Sequence, residues 1–442
     1  FFSKDTQIRL SSDKMKNIKS LQSENEQLRI AIGELQVLND VATAISSVQS
    51  VDEIIDQIVL KCTRHFAVEE AAISLLERET DEQVFHTMVR HRDTSGKNLP
   101  YRLDAGLKGW MLKNRKSFLS NNIQEDDRFK FLSQEDYTFK SLISVPLMVK
   151  GELTGYLAIF NKKSGEFTEE NKRLLSIIGS QSAQILENAR LLEEEKDLLA
   201  LRNEMKLAGE IQRKLLPDST PDIPGFQFFA TNMPAKSVGG DYYDFLPVDD
   251  NKFAFCIADI TGKGMPAAML MANLQATFRS QVIMDAGCCT CISRTNKILF
   301  NNTEPSKFAT MFYGVLNADN GMLEYTNGGH DQPILFRSGK GIEYLQSTGL
   351  ILGILEDSEY LKGDVNLEPG NVLLLYSDGI TEAMNPASDM YGIEKAIEIV
   401  SDNVDKSAQK IAELLLSDVR RHTKGALQSD DITLMLIKRD FE

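Results

Sequence analysis

The sequence lacks any hydrophobic run that could cross a membrane, and it has no excess of basic residues. No apolar stretch approaches the roughly 18–20 residues that span a bilayer, and no signal peptide is visible. The formal net charge is -15, which argues against non-specific binding to nucleic acid or to an anionic membrane surface. We therefore expect a cytoplasmic protein with no nucleic-acid partner. The chain starts at Phe1 instead of a methionine, which is consistent with a fragment whose upstream part could include a membrane segment.

Cysteine is also scarce, and its positions do not indicate a disulfide framework. The chain has five cysteines, an odd number, and three of them crowd together at Cys288, Cys289 and Cys291. These three could ligate zinc, but neither a second pair nor a nearby histidine completes such a site. We interpret them as reduced residues of a helix.

The sequence is long, and its patterns divide it into four parts. Chains of 442 residues usually form two or more domains. We predict an N-terminal coiled-coil helix at 1–38, an α/β domain at 39–188, a helical linker with a proline-rich end at 189–221, and a C-terminal domain at 222–442. The expected fold class is a multidomain α+β protein.

The N-terminal helix carries a heptad pattern. Apolar residues occupy a and d positions at Ile18, Leu21, Leu28, Ile32 and Leu35. Asn25 takes the remaining a position, and a single buried asparagine at a typically fixes the register of a parallel two-stranded coiled coil. We therefore expect a homodimer. The alternative is an amphipathic helix that packs on its own domain.

Residues 40–185 alternate helical and strand patterns and include a hairpin and a long helix that begins after Thr168. The stretches that matter are "GLKGW", "NNIQEDDRF", "SLISVPL", "GELTGYLAIFNK" and "FTEENKRLLSIIGSQSAQILENARL". Their order resembles a GAF domain, an α/β module that senses small molecules or proteins. In GAF domains that bind cyclic nucleotides, an acidic pair stands where this chain has Asn171 and Lys172. We therefore expect a different ligand or a partner protein, whose identity the sequence does not give.

The helix that leaves this region continues in pattern toward the C-terminal domain. Two heptad series recur along it, namely Leu191, Leu198 and Met205, and Leu201, Ala208 and Leu215. Polar residues at Glu194 and Gln212 interrupt the pattern, so this seam should be weakly stable and able to hold two packings. We predict a regulatory switch whose residues are Leu201, Met205, Ala208 and Leu215.

The C-terminal part combines nine strand patterns with two long helical stretches. Strands followed by helices and then by strands, with tight connections, predict two packed antiparallel sheets covered by helices. Four aspartates stand at strand ends in this part: Asp241 after two glycines, Asp259 after "FAFCIA", Asp378 after "VLLLYS" and Asp430 before Asp431 and "ITLMLIK". One such aspartate is usually a turn residue. Four convergent carboxylates instead predict an oxygen-rich site for Mg²⁺ or Mn²⁺ and disfavour zinc.

Six ordered motifs extend this interpretation. They are "VGGDYYDF", "ADITGKGMPAAM", "FATMFYGVL", "YTNGGH", "LLYSDGITEAMN" and "SDDITLMLIK". Together they resemble the SpoIIE/RsbU branch of the metal-dependent PPM serine/threonine phosphatases over about residues 200–442. The resemblance implies a β-sandwich flanked by helices. It also implies two Mn²⁺ or Mg²⁺ ions at one edge of the sandwich, which activate the water that attacks the phosphoester.

The resemblance also assigns residues and a substrate class. By position, the catalytic metal ligands would be Asp241, Asp259, the backbone carbonyl of Ile260, Asp378 and Asp430. Asp244, Gly240 and Asp431 would orient these ligands or bound waters. The substrate would be a phosphorylated STAS-domain antagonist of an anti-sigma factor in a bacterial partner-switching pathway.

Two other functions stay open on the sequence alone, namely a non-catalytic GAF and phosphatase-like regulator that signals by contact, and a metal-dependent hydrolase of small phosphoesters. Two nearby residues have uncertain roles. His330 could donate a proton, although a turn residue is the simpler interpretation, because Asp331 and Gln332 depart from the family's usual Asn-Pro. Lys263 is interpreted as structural or substrate-facing. The arginine that holds phosphate in the eukaryotic type 2C branch has no evident counterpart.

Overall fold

The computed structural model describes residues 21, 25, 50–77, 84–91, 101–130, 139–284, 287–304, 306–339 and 341–441. Apart from two single positions, the predicted coiled coil at 1–38 lies outside these residues. The chain forms two compact units, Phe1–Leu199 and Ala200–Glu442. Within the described residues, no helix has both the length and the hydropathy that crossing a bilayer requires.

The first unit is built on one antiparallel sheet of five strands in the spatial order β2-β1-β5-β4-β3. Its strands are β1 (Val68–Glu77), β2 (Val84–His91), β3 (Phe118–Ser120), β4 (Leu142–Val149) and β5 (Glu152–Lys162). Its helices are α1 (Val51–His65), α2 (Tyr101–Asn114) and the first part of α3 (Glu169–Arg213). The predicted hairpin is present as β4 and β5, joined at Lys150 and Gly151.

Helices cover both faces of this sheet. On one face, Ile55 and Ile58 of α1 and Ile178 of α3 pack with the strands into an apolar cluster. On the other face, Leu107 and Met111 of α2 belong to a second apolar cluster. Burial of apolar side chains on both sides supplies the main stabilisation of such a layer.

Helix α3 begins as the sequence predicts and is unusually long. The Thr168 hydroxyl accepts from the Asn171 amide, and the Asn171 side chain accepts from the Thr168 amide, each at 3.2 Å. This reciprocal pair satisfies two backbone donors at the helix start. The helix then runs for 45 residues to Arg213 without interruption. It ends shortly before Pro217, which disfavours helix in the residue before it.

The second unit contains two antiparallel sheets of five strands each. In spatial order, one sheet has β13 (Gly363–Asn366), β10 (Met322–Gly328), β9 (Ala309–Asn317), β8 (Lys252–Ile260) and β7 (Tyr242–Pro247). The other has β12 (Gly341–Tyr344), β11 (Ile334–Arg337), β14 (Val372–Tyr376), β15 (Ile432–Arg439) and β6 (Phe226–Met233). All nine predicted strands are present. The strand β13 escaped prediction because its four residues, "GDVN", carry little apolar character.

Each of the two predicted helical stretches is divided into two helices. The first contains α4 (Met265–Met284) and α5 (Cys288–Asn302), and the second contains α7 (Ile393–Ser401) and α8 (Ala408–Thr423). A single helical turn, α6 (Asp378–Thr381), follows β14.

The two sheets of the second unit face each other, and helices cover their outer faces. Phe255 and Ile257 of β8 point inward and pack against Leu373 and Leu375 of β14. The alternate residues of β8 pack on α4 and α5, and those of β14 pack on α7 and α8. Since both faces of these strands are buried, their sequences read as continuous apolar runs. The predicted sandwich flanked by helices is confirmed.

The three crowded cysteines lie in α5 and are not bonded to one another. Cys288 and Cys291 are buried, and the Cys288 thiol donates to the Glu324 carbonyl at 3.3 Å. Burial raises the pKa of Cys288 to about 12, so the thiol stays protonated. These observations favour the reduced-helix interpretation over zinc.

Candidate functional site

The four aspartates predicted as metal ligands, Asp241, Asp259, Asp378 and Asp430, are called the aspartate cluster below. Each stands at the end of a strand. Asp241 immediately precedes β7, and Asp259 is the second-last residue of β8. Asp378 opens the turn of helix after β14, and Asp430 lies two residues before β15.

Antiparallel pairing brings these strand ends together. In the β7–β8 register Tyr242 is opposite Ala258, so the next pair outward is Asp241 and Asp259. In the other sheet the Ser377 amide donates to the Thr433 carbonyl at 3.0 Å, which places Asp378 beside the start of β15. Each sheet therefore contributes two aspartates. The two pairs lie at strand ends, and the hydrogen bonds of Asp241 link these strand ends.

Asp241 links the ends of the two sheets by hydrogen bonds. Its Oδ2 accepts hydrogen bonds from the Ser377 hydroxyl at 2.7 Å and from the Thr433 hydroxyl. Its side chain is buried, with 3% of the residue exposed. Burial raises the pKa of Asp241 well above its usual range, and the nearby Asp259 carboxylate raises it further. A carboxylate in this position is electrostatically unfavourable unless a cation compensates it.

Burial and neighbouring carboxylates also raise the pKa values of Asp259 and Asp378. Burial raises the pKa of Asp259, and the carboxylates of Asp430 and Asp431 add to the shift. The pKa of Asp378 is raised to about 7, first by burial and then by Asp259 and Asp430. The aspartate cluster thus behaves as a set of like charges that raise one another's pKa values.

Asp430 has a cationic partner. The Lys263 ammonium lies 2.7 Å from Asp430 Oδ2 and also donates to the Ser429 carbonyl at 2.7 Å. The second oxygen of Asp430 accepts from the Asp431 amide at 2.9 Å. Lys263 comes from the loop after β8, so this ion pair joins segments of the two sheets.

Asp431 holds the glycine-rich segment that precedes Asp241. Its carboxylate accepts from the amides of Ala235 at 2.7 Å and Gly240 at 2.6 Å. A Cβ on Gly239 would lie 2.4 Å from Asp431 Oδ2, and one on Gly240 would lie 3.0 Å from the Ile260 carbonyl oxygen. The two glycines therefore allow the backbone to approach Asp431 and Ile260 closely.

The end of α3 contacts this same segment. The Gln212 side chain donates to the Gly239 carbonyl at 2.7 Å and accepts from the Gly239 amide at 3.0 Å. One turn earlier, a Cβ on Gly209 would lie 2.1 Å from the Ser237 carbonyl oxygen. Gln212, which interrupts the heptad pattern, thus has a specific partner two residues before Asp241.

Asp244, predicted to orient metal ligands or waters, makes its described hydrogen bonds to groups other than the aspartate cluster. It is fully buried and accepts hydrogen bonds from the Tyr242 hydroxyl at 2.5 Å and from the Arg279 guanidinium at 2.6 and 3.0 Å. Along a strand, alternate residues share a face, so Asp244 points with Tyr242 toward α4, which carries Arg279. The pair of Asp244 and Arg279 therefore holds α4 against β7.

His330 is buried as a neutral side chain. Its Nδ1 lies 2.8 Å from the Thr310 hydroxyl, and burial lowers its pKa to about 4. Asn327 bonds both the amide and the carbonyl of His330. These contacts favour the turn interpretation over a proton donor.

The chemistry of the site fits hard divalent cations, although the side chains do not form a ready-made cage. In the described part of the chain, no three His, Cys, Asp or Glu side chains are arranged to hold an ion. Asp430 is paired with Lys263, and Asp241 is bonded to Ser377 and Thr433. Nevertheless, the convergent donors are all oxygens, and their mutual repulsion favours bound cations. The absence of a Cβ at Gly239 and Gly240 leaves room for the Asp431 carboxylate and the Ile260 carbonyl.

Sequence reasoning missed Ser377 and Thr433. Both are hydroxyl residues at the ends of apolar strands, and Ser377 directly precedes Asp378. A buried hydroxyl in that position needs a hydrogen-bond partner, which was the available signal. No sequence pattern indicated that both would bond Asp241.

Comparison with known proteins identifies both halves of the chain. A family model described as stage II sporulation protein E (SpoIIE) matches residues 249–440, and a GAF domain model matches residues 48–187. Asp259, Asp378 and Asp430 fall inside the first match, whereas Asp241 precedes it. The predicted resemblance to a GAF domain is therefore confirmed.

Two curated relatives and one solved structure each match about half of this chain. Protein IcfG of Synechocystis sp. is 30% identical over 267 residues, which are 54% of this chain and 42% of that protein. The chain thus spans less than half of IcfG. Phosphoserine phosphatase RsbU of Bacillus subtilis is 30% identical over 242 residues, which are 54% of this chain and 71% of RsbU.

The solved SiaA-PP2C domain of Pseudomonas aeruginosa has a TM-score of 0.50 at 18% identity and covers 55% of this chain and 98% of that domain. At this identity the match concerns the fold alone, and it agrees with the sandwich described above. The match to RsbU, at 30% identity over more than two thirds of that protein, carries the assignment. The chain therefore belongs to the SpoIIE/RsbU-type family of PPM phosphatases, with a GAF domain in its N-terminal half.

Proposed function

We propose that this protein is a metal-dependent phosphatase that removes phosphate from phosphoserine or phosphothreonine of a partner protein. The observation that carries the proposal is the convergence of four strand-end carboxylates from two sheets, with raised pKa values at Asp241, Asp259 and Asp378. Structural carboxylates are normally paired instead. Membership of the family that includes a phosphoserine phosphatase, RsbU, supports the same conclusion.

Two ions, Mn²⁺ or Mg²⁺, would be held by the aspartate cluster and the Ile260 carbonyl. Such ions supply a water of lowered pKa and offset charge on the phosphoryl oxygens. Ser377 and Thr433 fix the orientation of the Asp241 carboxylate. Asp431 fixes the backbone at Gly240. None of these residues needs to act as a nucleophile.

The substrate we assign is a phosphorylated STAS-domain antagonist of an anti-sigma factor in a bacterial partner-switching pathway. This rests on the similarity to RsbU. A net charge of -15 gives no support to a nucleic-acid partner. The GAF domain supplies the regulatory input, through a ligand or partner that its fold does not identify.

We assign the regulatory connection to α3, which contains residues of both units. Its switch residues differ in exposure: Leu201 is exposed, Met205 and Ala208 are half-buried, and Leu215 beyond the helix end packs on the core. The paired hydrogen bonds between Gln212 and Gly239 support a connection from this helix to the segment that carries Asp241. A shift of the helix would change the position of Asp241 relative to Asp259.

We assign a parallel homodimer to the same helix. Several leucines along its middle have about half or more of their surface exposed, among them Leu191, Leu192, Leu199 and Leu207. Apolar residues at heptad spacing bury this surface when two helices pair. Light scattering on the purified chain at micromolar concentration would give the mass of two chains; the mass of one would contradict the assignment.

The phosphatase assignment is tested by turnover of a phosphorylated STAS-domain protein with Mn²⁺, with EDTA, and with the Asp378→Asn variant. We expect phosphate release with Mn²⁺ alone, and loss of release with EDTA or with the variant. The matched control is Asp357→Asn, which changes a surface aspartate with 86% of its side chain exposed and should retain full activity. Tight binding of the phosphoprotein without phosphate release would instead support the non-catalytic regulator.

A further inference from the structure

Lys263 is a cation that lies in the site, and the proposed reaction assigns no role to its charge. Its ammonium lies 2.7 Å from Asp430 Oδ2, and Asp430 belongs to the aspartate cluster. The hydrogen bond that Lys263 donates to Asp430 raises the Lys263 pKa, and the neighbouring carboxylates Asp378 and Asp431 raise it further. The lysine thus experiences the same negative field that would attract a divalent ion.

We propose that the Lys263 ammonium competes with the divalent cation for Asp430. Lys263 pairs with Asp430 until the cation displaces it, and this competition sets the metal concentration at which the protein becomes active. The proposal rests on the proposed function, because it requires Asp430 to be a metal ligand. It assigns to Lys263 a role that its sequence motif alone does not reveal.

Asp430 does not need Lys263 to keep its position. One carboxylate oxygen accepts from the Asp431 amide at 2.9 Å, and the other is paired with the lysine. The backbone bond would remain after the lysine leaves. Lys263 therefore occupies a coordinating oxygen of Asp430 without being needed to hold that residue, which is the arrangement of a competitor.

The ion pair is also weak enough to be displaced. The side chains are partly exposed, 43% for Lys263 and 27% for Asp430. Ion pairs in contact with water contribute little net stability because both partners are well solvated when separated. A divalent cation carries twice the charge of an ammonium group and can be shared by several carboxylates of the cluster.

The loop around Lys263 suits such a movement. Gly262 and Gly264 flank it, with φ angles of +90° and +79° that disfavour other residues. The lysine side chain is a long and flexible stem that can carry its charge into solvent. Release of Lys263 from Asp430 and from the Ser429 carbonyl would break two side-chain contacts and no strand pairing.

The ion pair should therefore weaken metal binding by the wild type relative to a variant that lacks the Lys263 charge. When a competing group occupies a ligand for most of the time, the apparent dissociation constant equals the intrinsic constant divided by the fraction of molecules in which the ligand is free. From the modest strength of exposed pairs, we expect Lys263→Met to bind Mn²⁺ about 3- to 10-fold more tightly than the wild type.

The experiment is a titration of the full chain with Mn²⁺ in the absence of substrate, followed by calorimetry or by the paramagnetic resonance signal of free Mn²⁺. Lys263→Met and Lys263→Gln are compared with Lys263→Arg, which keeps the competing charge and should bind like the wild type. Lys307→Met is the matched control for a general loss of positive charge. Its ammonium lies beside the same loop, 3.2 Å from where a Cβ of Gly262 would be, and its removal should change affinity less than 2-fold.

The outcomes separate this inference from the phosphatase assignment. Tighter binding in both neutral variants, without tightening in Lys307→Met, supports the competitor. Unchanged or weaker binding in both, in proteins whose thermal unfolding matches the wild type, overturns it while the metal site stands. Equal tightening in Lys307→Met also overturns it, since general charge would then explain the effect. If the wild type binds no Mn²⁺, or binds it equally after Asp378→Asn, the metal site itself is wrong and the inference fails with it.

Discussion

The two units bury polar side chains of different kinds. Among the described residues of the first unit, the buried polar side chains are small hydroxyls: Thr63, Ser74, Ser120, Ser144 and Ser182. The second unit also buries charged residues, namely Asp241, Asp244, Asp431 and Lys438. Both units are antiparallel sheets covered by helices, so the architecture alone does not require this difference.

The partners of the buried charges show what the difference means. Lys438 donates to the carbonyls of Val404 and Lys406 at 2.8 and 2.6 Å, and Asp244 is bonded to Arg279. Asp241 instead lies near other carboxylates, and its pKa is raised. A buried charge with complete partners is costly to disrupt, whereas a buried charge among like charges indicates a function such as cation binding.

The largest effect is expected at Asp241, where function and stability should separate. Asp241→Asn should reduce Mn²⁺-dependent turnover by more than about 100-fold, because a ligand contributes at least as much as the groups that orient it. Since the raised pKa of Asp241 means that its ionised form destabilises the fold, the neutral amide should leave the melting temperature in EDTA unchanged or higher. Phosphate release and thermal unfolding measure the two effects. A large fall in melting temperature would show that Asp241 is a structural residue like Asp244.

The second-largest effect is expected at Arg279, where a substitution should lower stability and leave the aspartate cluster intact. Arg279→Ala removes the cation that bonds the buried Asp244 carboxylate and should destabilise the protein by roughly 3 kcal/mol, because an uncompensated buried charge remains. Urea unfolding measures this change. Lys410→Ala, which breaks the exposed pair with Glu413, is the control and should cost less than about 1 kcal/mol. Equal losses in both variants would remove the distinction between buried and exposed pairs.

A third change tests whether the first unit influences the second through α3. Gln212→Ala removes both hydrogen bonds to Gly239 and should change basal turnover and the Mn²⁺ requirement several-fold, because the segment leading to Asp241 loses its contact with the helix. Insertion of three or four residues near Ala200 should have an effect of similar size, since it rotates the two ends of the helix. Asp197→Ala, which changes an exposed residue of α3 outside both heptad series, serves as the control. If turnover and metal affinity were unchanged in the insertion variants and after deletion of 1–185, α3 would be only a tether.

The smallest effect is expected in the GAF domain. Lys162 donates to the Asn171 side chain at 2.6 Å and to the Glu166 carbonyl at 3.0 Å. Asn171→Asp supplies the acidic group that cyclic-nucleotide-binding GAF domains carry, and its charge should stabilise the pair by a few tenths of a kcal/mol. Calorimetry should still detect no binding of cyclic GMP or cyclic AMP. Binding to the variant would show that this one position excludes the nucleotide.

The sequence was most informative where apolar patterns were strong. The runs in β8 and β14 predicted strands buried on both faces, and the aspartates that follow them predicted an oxygen-rich site. It was least informative where a polar residue had two plausible partners. The sequence pattern indicated that Gln212 was an imperfection of a heptad and that Asp244 oriented metal ligands or waters. In both cases the deciding partner, Gly239 or Arg279, was distant along the chain.

The sequence by itself determined most of the strands and helices and the family, because these depend on periodic burial and on ordered local motifs. Tertiary structure alone decided which charges meet. The antiparallel registers place Asp241 beside Asp259, the contact between the sheets brings Ser377 and Thr433 to Asp241, and the loop after β8 brings Lys263 to Asp430. Electrostatic energy depends on distances between atoms, which neither composition nor spacing along the chain specifies.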